Sequence, residues 1–164
     1  MIISSGAGFG YALSRELTVR KKNLEMLLRM IILLKGEIRY GNTSLYDALT
    51  GAAGKLEGKY REFFILTAKE IQKKKGEPFG VIFRKCAQQC LGNLGFTKEE
   101  KEKLYSLGER LGYLGLEMQM RQLELLEEEI QGSIKELQKD LSEKKKVYQS
   151  LGILLGLFLA VLVF

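Results

Sequence analysis

Residues 116–164 read "LEMQMRQLELLEEEIQGSIKELQKDLSEKKKVYQSLGILLGLFLAVLVF", and two patterns meet inside this one stretch. In its first part Leu116, Met120, Leu123, Leu126, Ile130, Ile134, Leu137 and Leu141 recur at steps of three and four. Such spacing draws a single apolar seam along a helix, between the 3.5 and 3.6 periods. It predicts about 31 residues of continuous helix, roughly 46 Å long. Glu124, Glu127, Glu128 and Glu129 fall in the early turns and lysines in the late ones, as the helix macrodipole favours. From Val147 onward the seam dissolves into a run that is apolar on every side, with no charge after Lys146.

That run has the dimensions of a membrane helix. From Val147 to the end it rises about 27 Å, close to the roughly 30 Å of hydrocarbon in a bilayer. Tyr148 suits the interface, and Lys144, Lys145 and Lys146 can snorkel toward headgroups. Gly152 and Gly156 form the small-xxx-small step that membrane helices use to approach one another. A soluble core can also absorb an apolar run of 10 to 14 residues. A run that is apolar all round and terminal favours lipid.

The other end mirrors this one. "MIISSGAGFGYALS" carries no charge before Arg15, and its glycine and alanine content resembles a close-packed membrane helix. Fourteen residues rise only about 21 Å, so the segment reads as the inner half of a longer span whose beginning is missing. A secretory signal needs basic residues before its apolar run, and here they follow it. "GAGFG" has no preceding strand and no acidic partner, so it is not a dinucleotide loop. Arg15, Arg20, Lys21 and Lys22 bracket the first apolar segment, and Lys144, Lys145 and Lys146 bracket the last. By the positive-inside rule the domain between them is cytoplasmic. The expected organisation is an N-terminal apolar segment over 1–14, a helical bundle over 15–146 and a membrane helix over 147–164.

Between the ends every pattern is helical. Leu24, Leu27, Leu28, Ile31, Leu34 and Ile38 mark a first amphipathic helix from about Ser14 to Tyr40, closed by Gly41 and Asn42. Ser44 with Asp47 opens a short second helix to about Ala53. A third covers roughly Lys55 to Lys75, with Tyr60, Phe63, Phe64 and Ile71 inward, and ends on "KKKGEP". The fourth spans about Phe79 to Leu91. Thr97 and Glu100 cap a fifth. That helix meets Gly108, Gly112 and Gly115, which predict a close crossing at Gly108 and a turn over 112–115. The fold class is all-α, an antiparallel bundle of about six helices.

Composition narrows the chemistry. The chain has 164 residues, a net charge of +6 and no histidine, which removes the commonest general base and metal ligand. Glu124, Glu127 and Glu128 lack the histidine of a di-metal bundle motif and read as a solvated face. Cys86 and Cys90, four apart on one helix, are poorly placed for a disulfide and read as small buried side chains. Tyr60, Phe63 and Phe64 sit at core spacing rather than as a stacking platform, which argues against nucleic acid. No catalytic set, cofactor or small-molecule substrate is expected. Partner contact is expected at the turn of Gly41, Asn42 and Thr43 and at the crossing of Gly108 and Gly112, where helix stop and close packing are the plainer alternatives.

"KGEIRYGNTSLYDAL", "SLGERLGYLGLEMQMRQLELLEEEI" and "YQSLGILLGLFLAVLVF" together resemble, in order, the stage III sporulation protein AB family of endospore-forming bacteria. The resemblance implies a fold similar to the cytoplasmic domain of F-type platform proteins of type II secretion and type IV pilus machines. It implies a platform subunit in a complex at the membrane around the forespore, linking mother cell and forespore and required for spore formation. Its partners would be membrane lipid, the other subunits of that complex and, by analogy, the complex's cytoplasmic ATPase. Relatives begin with a complete first membrane helix, of which this chain holds part. They commonly carry an Asp-bearing turn where this chain has "YLGLEMQ", so the last helix junction can differ. The alternative is a coiled-coil adaptor or lipid-surface module, since an a/d seam can pair with another chain.

Overall fold

A computed structural model describes the backbone of residues 2–41, 44–73 and 76–163, and the side chains from residue 14 to 162 within those ranges. Its elements are α1 (Ile2–Gly41), α2 (Leu45–Ala53), α3 (Gly58–Lys73), α4 (Phe79–Leu91), α5 (Lys98–Leu111) and α6 (Leu116–Val163). No strand occurs among the described residues.

Each helix packs on the next, and α6 closes the ring by packing along α1, the most extensive interface in the bundle. Neighbours run antiparallel, as short connections require. Across α5 and α6, Arg110 donates to Gln122 at 2.7 Å and Lys103 pairs with Glu129 at 3.7 Å. Across α1 and α6, Lys35 pairs with Glu127, while Ser14 and Thr18 share a groove with Leu141, Lys145 and Gln149. As α1 ascends, α6 descends beside it.

The core runs the length of this ring. Leu24, Leu27, Ile31, Leu34 and Ile38 are buried on α1, as their spacing predicts, and Leu28 is half-buried. Met30 is buried too, which widens the apolar stripe of α1 beyond the residues named from periodicity. Phe63 and Phe83 stack edge to face with centroids 4.9 Å apart, joining α3 to α4. The α6 seam is buried at Leu123, Leu126, Ile130, Ile134 and Leu137. Leu116 departs from it at 53% exposed, in the first turn of α6.

Local rules account for the boundaries. Thr97 accepts from the Glu100 N–H, while the Glu100 carboxylate accepts from the Thr97 N–H, closing a capping box. Ser44 caps α2 through the Asp47 N–H. Helix α3 starts at Gly58 rather than near Lys55: Gly58 has φ +59°, and Leu56, buried at 2%, plugs the core from the turn between α2 and α3. The two cysteines are free, with Cys86 buried and Cys90 half-buried.

The terminal segments are continuous with the bundle. Helix α1 is unbroken for 40 residues and α6 for 48, so each apolar segment extends a bundle helix without an intervening loop.

Candidate membrane interface and partner surfaces

The antiparallel pairing of α1 with α6 brings the chain's two ends together. Ser14 and Thr18 lie across a groove from Leu141, Lys144, Lys145 and Tyr148. The N-terminal turns of α1 and the C-terminal turns of α6 therefore leave the bundle from one end. Beyond Lys146 the helix has no cover. Leu151, Ile153, Leu154, Leu157, Phe158, Leu159, Val161 and Leu162 are each at least half exposed. Among the described residues α6 is the one helix long and apolar enough to cross a membrane, and none of its most apolar stretch is buried. An apolar surface of that extent marks a site covered by lipid or by another protein.

The basic residues expected to flank lipid divide into two kinds. Arg15, Lys22, Lys145 and Lys146 are exposed, and Lys144 is half-buried beside Tyr148. Arg20 instead faces inward: its guanidinium donates to Glu100 at 2.6 Å and 3.4 Å. Glu100 is itself buried, at 5% exposed. The pair ties α1 to the capping box of α5, so one carboxylate closes a helix and joins two. Lys21 pairs with Glu25 at 3.1 Å along α1, an i,i+4 contact worth a few tenths of a kcal/mol, about 0.3–0.5.

The second tie at this end is Asn23, whose amide donates to the Leu94 carbonyl at 2.6 Å. With Arg20–Glu100 it fixes the α4–α5 loop against α1. An open cleft between them is lined by Arg15, Glu16, Val19, Asn23, Asn93 and Leu94, among others. Neither cleft nor tie was visible from spacing, because the partners lie 71 and 80 positions apart.

The glycine crossing is a real contact between α4 and α5. A Cβ on Gly108 would fall 2.7 Å from the Phe83 Cβ, and one on Gly112 would fall 3.0 Å from the Phe79 Cβ. Gly80, on the facing side, would put a Cβ 2.7 Å from the Glu109 Cα. Gly108 is buried by this packing and Gly112 is exposed. Gly80 leaves no trace in the sequence pattern, because a lone glycine near a helix start carries no period. Gly41 is exposed at the far end of α1, about 40 Å from Ser14. Asn42 and Thr43, expected beside it in a partner-contact turn, lie outside the described residues.

Burial favours the protonated form of two groups facing the interior. Burial pushes the Tyr60 hydroxyl well above its usual value, and that hydroxyl donates to the Asn23 carbonyl at 2.7 Å. Burial also raises the Cys90 thiol, with the nearby Glu62 carboxylate adding in the same direction. A thiol held protonated is a weak nucleophile. The Glu127 carboxylate is engaged by Lys35.

Comparison with known proteins agrees with this architecture. Among curated proteins nothing matches. A solved structure titled stage III sporulation protein AB superimposes with a TM-score of 0.66 at 21% identity. The match covers 76% of this chain and 97% of that one, and it shows a shared fold. The family model described as Stage III sporulation protein AB matches residues 1–164, the whole chain, and this chain belongs to the stage III sporulation protein AB family, with a role in sporulation.

Proposed function

We propose that this protein is a membrane-anchored, non-enzymatic scaffold in a sporulation complex. In this reading its bundle stands on the membrane around the forespore, held by the terminal turns of α1 and α6. The observation that carries it is the common exit of those two helices from one end of the bundle, beside the exposed Arg15, Lys145 and Lys146. A hairpin of two apolar helices with cations at its base is the arrangement that positive-inside insertion favours. The bundle then lies in the mother-cell cytoplasm.

The platform role follows by analogy of fold, with other subunits of the complex as partners and its cytoplasmic ATPase acting from below. The end of the bundle away from the exit offers the surface for them. Tyr40, Tyr113 and Met118 are exposed there, beside Gly41 and Gly112. The alternative, a coiled-coil adaptor, has less support: the α6 seam from Leu123 to Leu137 is buried inside the bundle and is not free to pair with another chain.

Membrane fractions of sporulating cells test the reading. The full-length protein should resist alkaline carbonate and co-purify with subunits of the sporulation complex. Release by carbonate into the soluble fraction would falsify it.

A further inference from the structure

Two hydrogen-bonded ties hold the α4–α5 loop against α1 close to where the chain leaves the bundle. Arg20 to Glu100 and Asn23 to the Leu94 carbonyl, both at 2.6 Å, place that loop six to nine residues along α1 from Ser14. This is about 9–14 Å of helix rise. If hydrocarbon ends near Ser14 and Tyr148, the headgroup layer fills about 5–8 Å of that distance. Long lysine stems bridge what remains.

The chemistry of the loop and its surroundings suits such a surface. Lys98 is exposed and Lys101 half-buried on the first turns of α5. Neither has a carboxylate partner among the described residues, and nor do Arg15, on the cleft, and Lys22, exposed on α1. The acidic groups nearby are mostly engaged: Glu100 with Arg20 and Glu99 with Lys103. Glu16, exposed on the cleft, is the exception. The cleft beside Arg15 also presents apolar groups, with Val19 at 52% exposed and Leu94 half-buried. Gly95, exposed and at φ +76°, turns the chain within this loop. Interleaved cations and apolar side chains are the signature of a surface that rests among anionic headgroups.

We propose that the α4–α5 loop, with Lys98 and Lys101, is a third contact with the membrane that recognises anionic lipid headgroups. It fixes the tilt of the bundle, which two terminal helices alone would leave free to rock. The proposal rests on the anchoring read above for α1 and α6, and its test separates the two.

A fluorophore on Asn93→Cys, in a Cys86→Ala/Cys90→Ala background, reports the position of the loop in the full-length protein. The protein is reconstituted into vesicles of phosphatidylcholine with or without phosphatidylglycerol, with a headgroup spin-labelled lipid as quencher. Tyr113→Cys, at the far end of the bundle, serves as the reference. With phosphatidylglycerol present, the probe at position 93 should be quenched and that at 113 left bright. Lys98→Glu/Lys101→Glu should lower the ratio of quenched to unquenched probe by about tenfold or more while the protein still floats with the vesicles. Co-flotation with a probe at 93 as bright as that at 113 overturns the loop contact alone, and points that surface toward a protein partner. Equal quenching without phosphatidylglycerol overturns the anionic recognition, and so the proposal. Failure of the protein to float overturns the anchoring as well.

Discussion

At Gly108 a single missing carbon decides how closely two helices meet. A methyl group there would sit 2.7 Å from the Phe83 Cβ, against backbone-anchored atoms that cannot swing away. Gly108→Ala should therefore destabilise the protein by about 1–3 kcal/mol through overpacking, despite alanine's better helix propensity. Gly112→Ala, with its nearest neighbour at 3.0 Å and an exposed site, should cost less. Denaturant unfolding of both variants in detergent gives the order. Glu100 shows a second kind of economy. Glu100→Ala removes the acceptor of the Thr97 N–H, half of the capping box on α5, and the partner of Arg20, with an expected loss of about 2–3 kcal/mol. Glu100→Gln keeps one acceptor oxygen, for the Thr97 N–H, and should lose less, a ranking that the same measurement checks. Tyr60 supplies a pH dependence. Its folded-state value is raised by burial, so the folded protein holds this proton where the unfolded chain releases it. The contribution is intact below about pH 10, the unfolded value, and falls by about 1.4 kcal/mol per pH unit above it. Alkaline unfolding should steepen there, and Tyr60→Phe should flatten that part of the profile while losing the hydrogen bond to Asn23.

Among the elements, α6 shows both what a sequence makes legible and what it hides. Its seam was readable because burial along one face of a straight helix imposes a period, and five consecutive seam positions from Leu123 to Leu137 are indeed buried. Ile130→Ala should cost about 2–5 kcal/mol, whereas Leu125→Ala, at a position 44% exposed, should stay within about 0.5 kcal/mol. A pair of thermal melts separates them. The capped starts of α2 and α5 were equally legible, since Ser44 and Thr97 act on N–H groups three residues away. Contacts that skip along the chain left no such trace. Arg20 reads locally as one more cation beside an apolar segment, and its inward turn depends on Glu100, 80 positions later. The crossing of α4 and α5 was half legible: Gly108 and Gly112 recur at a helical step, while Gly80, which meets Glu109, stands alone in sequence. The start of α3, at Gly58 rather than near Lys55, is not legible in the sequence because the plug formed by Leu56 is a tertiary contact.

For the molecule as a whole, the question is whether the bundle needs its apolar ends in order to fold. The ring closes where α6 lies on α1, and the buried part of α6 ends at Leu137, with Leu141 half-buried next to Ser14 and Thr18. From Val147 to Leu162 no described residue is buried, so that stretch adds nothing to the core. Its exposed leucines instead favour a medium other than water, at about 25 cal/mol per Å² of apolar surface transferred. Folding and anchoring should thus be separable. A chain ending at Lys146 should keep its helical signal and its cooperative unfolding transition with little change in midpoint, because every buried seam residue is retained. The same chain should lose much of its co-flotation with vesicles, keeping only what the N-terminal turns of α1 and the cations at that end supply. Circular dichroism melts and flotation of the shortened and full-length proteins read the two properties side by side. A shortened chain that no longer unfolds cooperatively would place the last turns of α6 in the core, against the burial described here. One that floats as well as the full-length protein would deny them the role of anchor.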